Sequence, residues 1–210
     1  MTEHLYPEIQ ETIVLAQGIS FDEYLVQFEG QSTEWHAGKV VQKVSNNSRH
    51  QIILGFLFTL LTLYLSSKKV GKVFFAGIPM YINDNVPARE PDLMIILNSQ
   101  LERIKRNRLE GPADIAVEVV SPGSGTDDRA TKLFEYEDAG VTEYWLIDPI
   151  RKEASIYVLN DEGKYERHPE DDKNQLQSTV LNGFVLDSKI LWQEELPEGI
   201  EIMPMVEAML

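Results

Sequence analysis

Two acidic residues stand in apolar runs, where an ionised carboxylate is costly unless a positive group or several donors meet it. Asp92 follows Pro91 at the head of Leu93-Met-Ile-Ile-Leu97, and Glu118 sits within Ile115-Ala-Val-Glu-Val-Val120. If the two runs are neighbouring strands, the carboxylates can converge on one hard cation such as Mg²⁺ or Mn²⁺, which prefers oxygen ligands. Such an ion lowers the pKa of a bound water and polarises a phosphoryl oxygen. A lysine is then expected close by, to orient the nucleophile and offset developing negative charge. The other reading of Glu118 is a buried acid with a partner of its own.

The elements around these acids predict an α/β chain. Ser20-Phe-Asp-Glu23 has the form of a capping box and starts a short helix that carries Phe21, Tyr24, Leu25 and Phe28 and ends at Gly30. Ala37-Gly38 marks a turn before an alternating first strand that runs to Val44. Asn46, Asn47 and Ser48 are N-cap candidates for a long helix from about Arg49 to Ser66. Strand-like runs follow at 72–76, 79–82 and 91–97, then the central strand 113–120, a helix from about Asp127 to Ala139 stopped by Gly140, and a buried strand 142–147. Shorter strands at 154–159, 165–168, 176–180 and 184–186 form an antiparallel extension, the first two joined by the turn Asn160-Asp-Glu-Gly163. The expected organisation is an arm at 1–19, one domain at 20–190 with its core at about 34–150 and the extension at about 151–190, and a tail at 191–210.

The chain has 210 residues, no cysteine and a net charge of −15. Disulfides and thiolate metal sites are thereby excluded. The start lacks the pattern of a signal peptide, and the apolar run Gln51–Leu65 is too short to span a bilayer comfortably, so a cytoplasmic protein without a membrane partner is expected. The negative balance argues against a nucleic-acid partner, because phosphates are held mainly by Lys and Arg. Its distribution is uneven, however. No Asp or Glu occurs from Trp35 to Asn83, a stretch that holds Lys39, Lys43 and Arg49, and a second basic cluster contains Arg103, Lys105 and Arg106. These six are candidates to meet an anionic substrate locally; the alternative is a solvated surface of uneven charge.

Pro91-Asp92, then Glu118 on a hydrophobic strand, matches the first two elements of the PD-(D/E)XK nuclease pattern. The longer run Glu118-Val-Val-Ser-Pro122, Asp128, Lys132-Leu133, Tyr136, Ala139-Gly-Val141, Glu143-Tyr-Trp145 and Asp148-Pro149 resembles the Uma-two family of restriction-endonuclease-like proteins. The resemblance covers about residues 20–190. It implies a restriction-endonuclease-like core, a mixed β-sheet flanked by helices, and a nuclease centre using Mg²⁺ or Mn²⁺, with Asp92, Glu118 and Lys132 as catalytic residues. It also implies a nucleic-acid substrate, DNA ahead of RNA, and a homodimer as a further partnership.

One position departs from the superfamily pattern. Val120 stands where Glu-x-Lys has its lysine, and Lys132 matches a lysine that the Uma-two type of sequence carries in the following helix. Asp128, Lys132 and Tyr136 recur every four residues on one helix face, which suits either a supporting role at the site or an exposed ion pair of a few tenths of a kcal/mol. Glu34 matches an early acid that completes the metal site in this superfamily, or is a surface glutamate before a turn. His50 is a supporting residue by the resemblance and a cap or core-edge histidine by its place. The other class of function open to the chain is a non-catalytic binding or assembly module with the nuclease fold.

Overall fold

The computed structural model describes residues 13–42, 47–121 and 126–210, with the backbone alone for 126–129. A small lobe comes first: β1 (Val14–Gln17), α1 (Phe21–Gln27), β2 (Thr33–His36) and β3 (Lys39–Gln42). Ser20 caps α1 with Glu23 reaching back to it, as the local sequence predicts. β2 and β3 form a hairpin on Ala37 and Gly38, at φ 45° and 91°, the two left-handed residues that a tight hairpin turn needs. β1 pairs with β3 inside the segment read as an arm, and backbone pairing fixes a strand whose side chains are largely exposed. Phe21, Tyr24, Trp35, Val40 and Ala88 form this lobe's core.

The main layer follows as α2 (Ser48–Lys68), β4 (Gly71–Phe75), β5 (Met80–Tyr81), β6 (Leu93–Leu97), β7 (Leu109–Glu110), β8 (Ile115–Val119), α3 (Thr126–Ala139), β9 (Glu143–Asp148), β10 (Glu153–Leu159) and β11 (Tyr165–Pro169). Its six-stranded sheet has the order β11-β10-β9-β8-β6-β4. Only β8 and β9 are parallel, and α3 is the crossover between them. The other neighbours are antiparallel, giving a mixed sheet with a helix on each side. β5 and β7 form a short parallel pair beside it, and β12 (Gln175–Gln177) and β13 (Val185–Asp187) a separate hairpin.

Side-chain alternation assigns the two faces. Leu93, Ile95, Ile115, Val117 and Val119 pack in one core with α2; Met94, Ile96 and Ala116 pack in another with Tyr136 and Ala139 of α3. Glu118 belongs to the second set, so strand period alone turns its carboxylate toward α3. α2 is apolar and long enough, at 21 residues, to cross a membrane, yet Ile53, Leu57, Leu60 and Leu61 are wholly buried against the sheet. Each such side chain contributes about 1.5–3 kcal/mol, so packing on the sheet accounts for the composition of this helix. At the other end of the crossover, Gly140 at φ 81° closes α3 with Val141 N–H donating to the Tyr136 carbonyl at 3.1 Å.

The segment read as a tail completes the α2 core. Leu191, Leu196, Ile202 and Val206 are buried there, the last on α4 (Met203–Glu207). Sequence periodicity missed this because the segment is built of 3-10 turns around isolated apolar residues.

Candidate active site

The β6–β8 ladder pairs Leu93 with Val117. One further step sets Asp92 opposite Glu118, at the end of the sheet where β6 begins and β8 finishes. Asp92 Oδ2 accepts the Val119 N–H at 2.8 Å and lies 3.0 Å from His50 Nε2. His50 is 1% exposed, and its Nδ1 has no hydrogen-bond partner among the described residues. The Nε2–H is therefore the group that donates to Asp92. With Oδ2 so engaged, Oδ1 is the Asp92 oxygen left for a ligand. The His50 backbone N–H meets the Asn47 side chain, so Asn47 is the helix cap and the imidazole is released for the acid.

Glu118 is 7% exposed and meets two donors from α3. The Tyr136 hydroxyl donates to Oε1 at 2.7 Å, and Lys132 Nζ to Oε2 at 3.0 Å. Burial pushes the Glu118 carboxyl above its ordinary pKa; Lys132 and the Tyr136 hydrogen bond pull it down, and the charges of Asp92 and Glu34 push it up again. Burial, with Glu118 beside it, likewise holds the Tyr136 phenol far above its usual range, so Tyr136 acts as a neutral donor. Lys132 and Tyr136 on α3 thus turn inward, and Lys132 is paired across to the strand. The side chain of Asp128 lies outside the described residues.

A second charged cluster adjoins the first. Arg89, buried in the segment before Pro91-Asp92, donates from one terminal nitrogen to Glu34 Oε2 at 2.7 Å. Its Nε and other terminal nitrogen lie 2.5 Å from Glu135 Oε2. Burial would lower the Arg89 pKa, but Glu34 and Glu135 outweigh it and hold the guanidinium firmly charged. His36 Nε2 sits 3.1 Å from the same Glu34 oxygen. Glu34 is therefore a buried acid on β2 with a cationic partner, and the surface reading of this residue does not hold.

The basic candidates have varied surroundings. Lys39 and Arg106 are exposed, and Lys43 lies outside the described residues. Arg49 donates to the carbonyls of Leu191, Gln193 and Glu194, tying α2 to the C-terminal segment. Arg103 packs against the Gly111 backbone, and Lys105 donates to the Glu102 carbonyl. Trp145 and Tyr144 are core residues.

Sequence reasoning passed over Arg89 and Glu135. Arg89 sits in a turn-rich stretch without periodicity, and Glu135 looks like any polar helix residue; its spacing of three from Lys132 was the sole signal. Glu143, part of the run that carries the resemblance, serves packing. It is wholly buried and accepts from Ser178, Trp145, Val180 and, through both backbone and hydroxyl, Thr179.

Among the described residues, no group of three or more His, Cys, Asp or Glu side chains stands ready to hold a metal ion. The donor chemistry nevertheless suits one. Asp92 and Glu118 are both carboxylates, they face each other in register, and the charge of Asp92 raises the cost of ionising Glu118, which a hard cation would relieve.

The fold is shared with the crystal structure of "a putative nuclease belonging to DUF820" from Anabaena variabilis, with a TM-score of 0.70 at 19% identity, covering 83% of this chain and 97% of that one. No curated protein matches this chain. Residues 21–189 match the family model Uma2, described as "Putative restriction endonuclease", and since these make up most of its length, the chain belongs to the Uma2 family.

Proposed function

We propose that this chain is a divalent-metal-dependent nuclease that hydrolyses phosphodiester bonds of nucleic acid, DNA ahead of RNA. The observation that carries this is the Lys132 amine 3.0 Å from Glu118, on the strand beside Asp92, although the strand position of the pattern is Val120. Asp92, through Oδ1, and Glu118 would hold Mg²⁺ or Mn²⁺, with Glu34 as the third acid. When bound, the ion supplies Lewis acidity at a phosphoryl oxygen and a more acidic water.

The chain's own groups do the rest. His50 and the Val119 N–H fix the orientation of Asp92, which ladder register sets opposite Glu118. Lys132 brings three donors and a positive charge, which orient the attacking water and oppose charge growing on phosphorus-bound oxygens. Tyr136 holds the other Glu118 oxygen and fixes the carboxylate plane. Hydrolysis forms one P–O bond to water and breaks one to the ester oxygen, which leaves with a proton.

The test incubates single- and double-stranded DNA and RNA with the protein and Mg²⁺ or Mn²⁺, beside Asp92→Ala and Lys132→Ala. Metal-dependent cleavage lost in both variants is expected, and cleavage that survives both refutes the assignment. The competing reading, a non-catalytic module, draws on the net charge of −15. It gains if calorimetry finds Mn²⁺ binding no tighter to the wild type than to an Asp92→Ala, Glu118→Ala double variant.

A further inference from the structure

We infer that Arg89 is a positioning residue: by dividing its guanidinium between Glu34 and Glu135, it holds Glu34 of the small lobe at the Asp92–Glu118 site. The inference rests on the metal-site reading above and adds a residue to it. Glu34 and Glu118 belong to different sheets, and nothing in strand register brings them together. Arg89 supplies the link. One edge of its planar fork faces Glu135 through two nitrogens, and the remaining nitrogen reaches Glu34 at 2.7 Å.

Glu135 immediately precedes Tyr136, which holds Glu118 at 2.7 Å, so the guanidinium joins β2 to the helical turn that grips the catalytic strand. The main chain of Arg89 is fixed as well. Its carbonyl accepts from Met80 N–H at 2.8 Å, and the preceding Ala88 N–H donates to the Trp35 carbonyl at 2.9 Å, one residue beyond Glu34.

Charge shows why such a clamp is required. Glu34 and Glu135 both reach one guanidinium, and without it their like charges would drive Glu34 toward water. An arginine can neutralise two carboxylates on different elements at once; a lysine, with a single point charge on a flexible stem, cannot hold both in a fixed geometry.

Manganese binding by calorimetry, without nucleic acid, tests this. Arg89→Lys and Glu34→Gln should each weaken Mn²⁺ binding by about tenfold or more, the usual effect of losing an outer-shell partner or more. The Arg89→Lys, Glu34→Gln double variant should bind no more weakly than Glu34→Gln alone, because Arg89 acts through Glu34. Losses that multiply in the double variant, or wild-type affinity in Arg89→Lys, overturn the inference.

If Arg89→Lys does not melt cooperatively, Glu135→Gln replaces it. That variant removes the other anchor of the guanidinium and should lower affinity several-fold in the wild type but not in the Glu34→Gln background; wild-type affinity overturns the inference. Wild-type binding no tighter than that of the Asp92→Ala, Glu118→Ala variant overturns the metal site itself. Binding that depends on those two acids but not on Arg89 overturns only the role of Arg89.

Discussion

Replacing Lys132 by Met removes the cation that meets Glu118 and keeps a side chain of similar length. Breaking a buried ion pair by deleting one partner costs about 3–5 kcal/mol. Here the Lys132 side chain is 20% exposed and Glu118 keeps the Tyr136 hydroxyl, so we expect about 2–3 kcal/mol, below that range. With a urea slope of about 2–3 kcal/mol per molar, the unfolding midpoint falls by about 1 M at pH ~8.

The pH dependence is more telling. Burial sets the folded-state pKa of Glu118 above its ordinary value of 4.5. The stability that a raised carboxyl contributes is present below its unfolded pKa and is lost as pH rises through the folded one. Lys132 limits that loss, and its removal raises the folded pKa further. The gap between Lys132→Met and wild type should thus be small near pH ~4, where Glu118 is protonated in both, and widen steadily toward pH ~8. Urea titrations across that range measure it. A gap of a few tenths of a kcal/mol, as for an exposed ion pair, or one that does not change with pH, would refute the buried pairing of Lys132 with Glu118.

Two further outcomes follow from the packing. Glu143→Gln puts an amide NH₂ among groups that all donate to Glu143, leaving a donor such as the Trp145 indole N–H unmet, so the protein should lose about 2 kcal/mol and exchange amide protons faster at 178–180. Unchanged exchange there would contradict the pinning of that loop by Glu143. Gly71→Ala sets a methyl 2.7 Å from the Ile96 carbonyl oxygen, a backbone atom, and should lower stability by about 1–3 kcal/mol in thermal melts by forcing β4 and β6 apart. A wild-type melting temperature would show that the edge strand yields freely.

Legibility followed the range of the forces involved. The capping box at Ser20, the Ala37-Gly38 turn, the glycine stop after Ala139 and the alternation in β6 and β8 are local patterns, and each has its counterpart in the fold. Asp92 and Glu118 could be noticed because a carboxylate in an apolar run conflicts with its surroundings. β1 and the C-terminal segment could not, since one is held by backbone pairing and the other by scattered apolar contacts with α2. Arg89 gave no local signal at all, and Glu135 only its spacing of three from Lys132.

By itself the sequence determined the type of elements, the burial of α2 and the presence of two strand acids, because periodicity, turn chemistry and desolvation act within a few residues. Only the tertiary structure decided which charges meet. The Lys132–Glu118 pair, the His50 contact to Asp92 and the Arg89 bridge between Glu34 and Glu135 each join residues from different elements. Charge partners are selected by distance and burial after the chain has folded, and spacing along the chain carries neither.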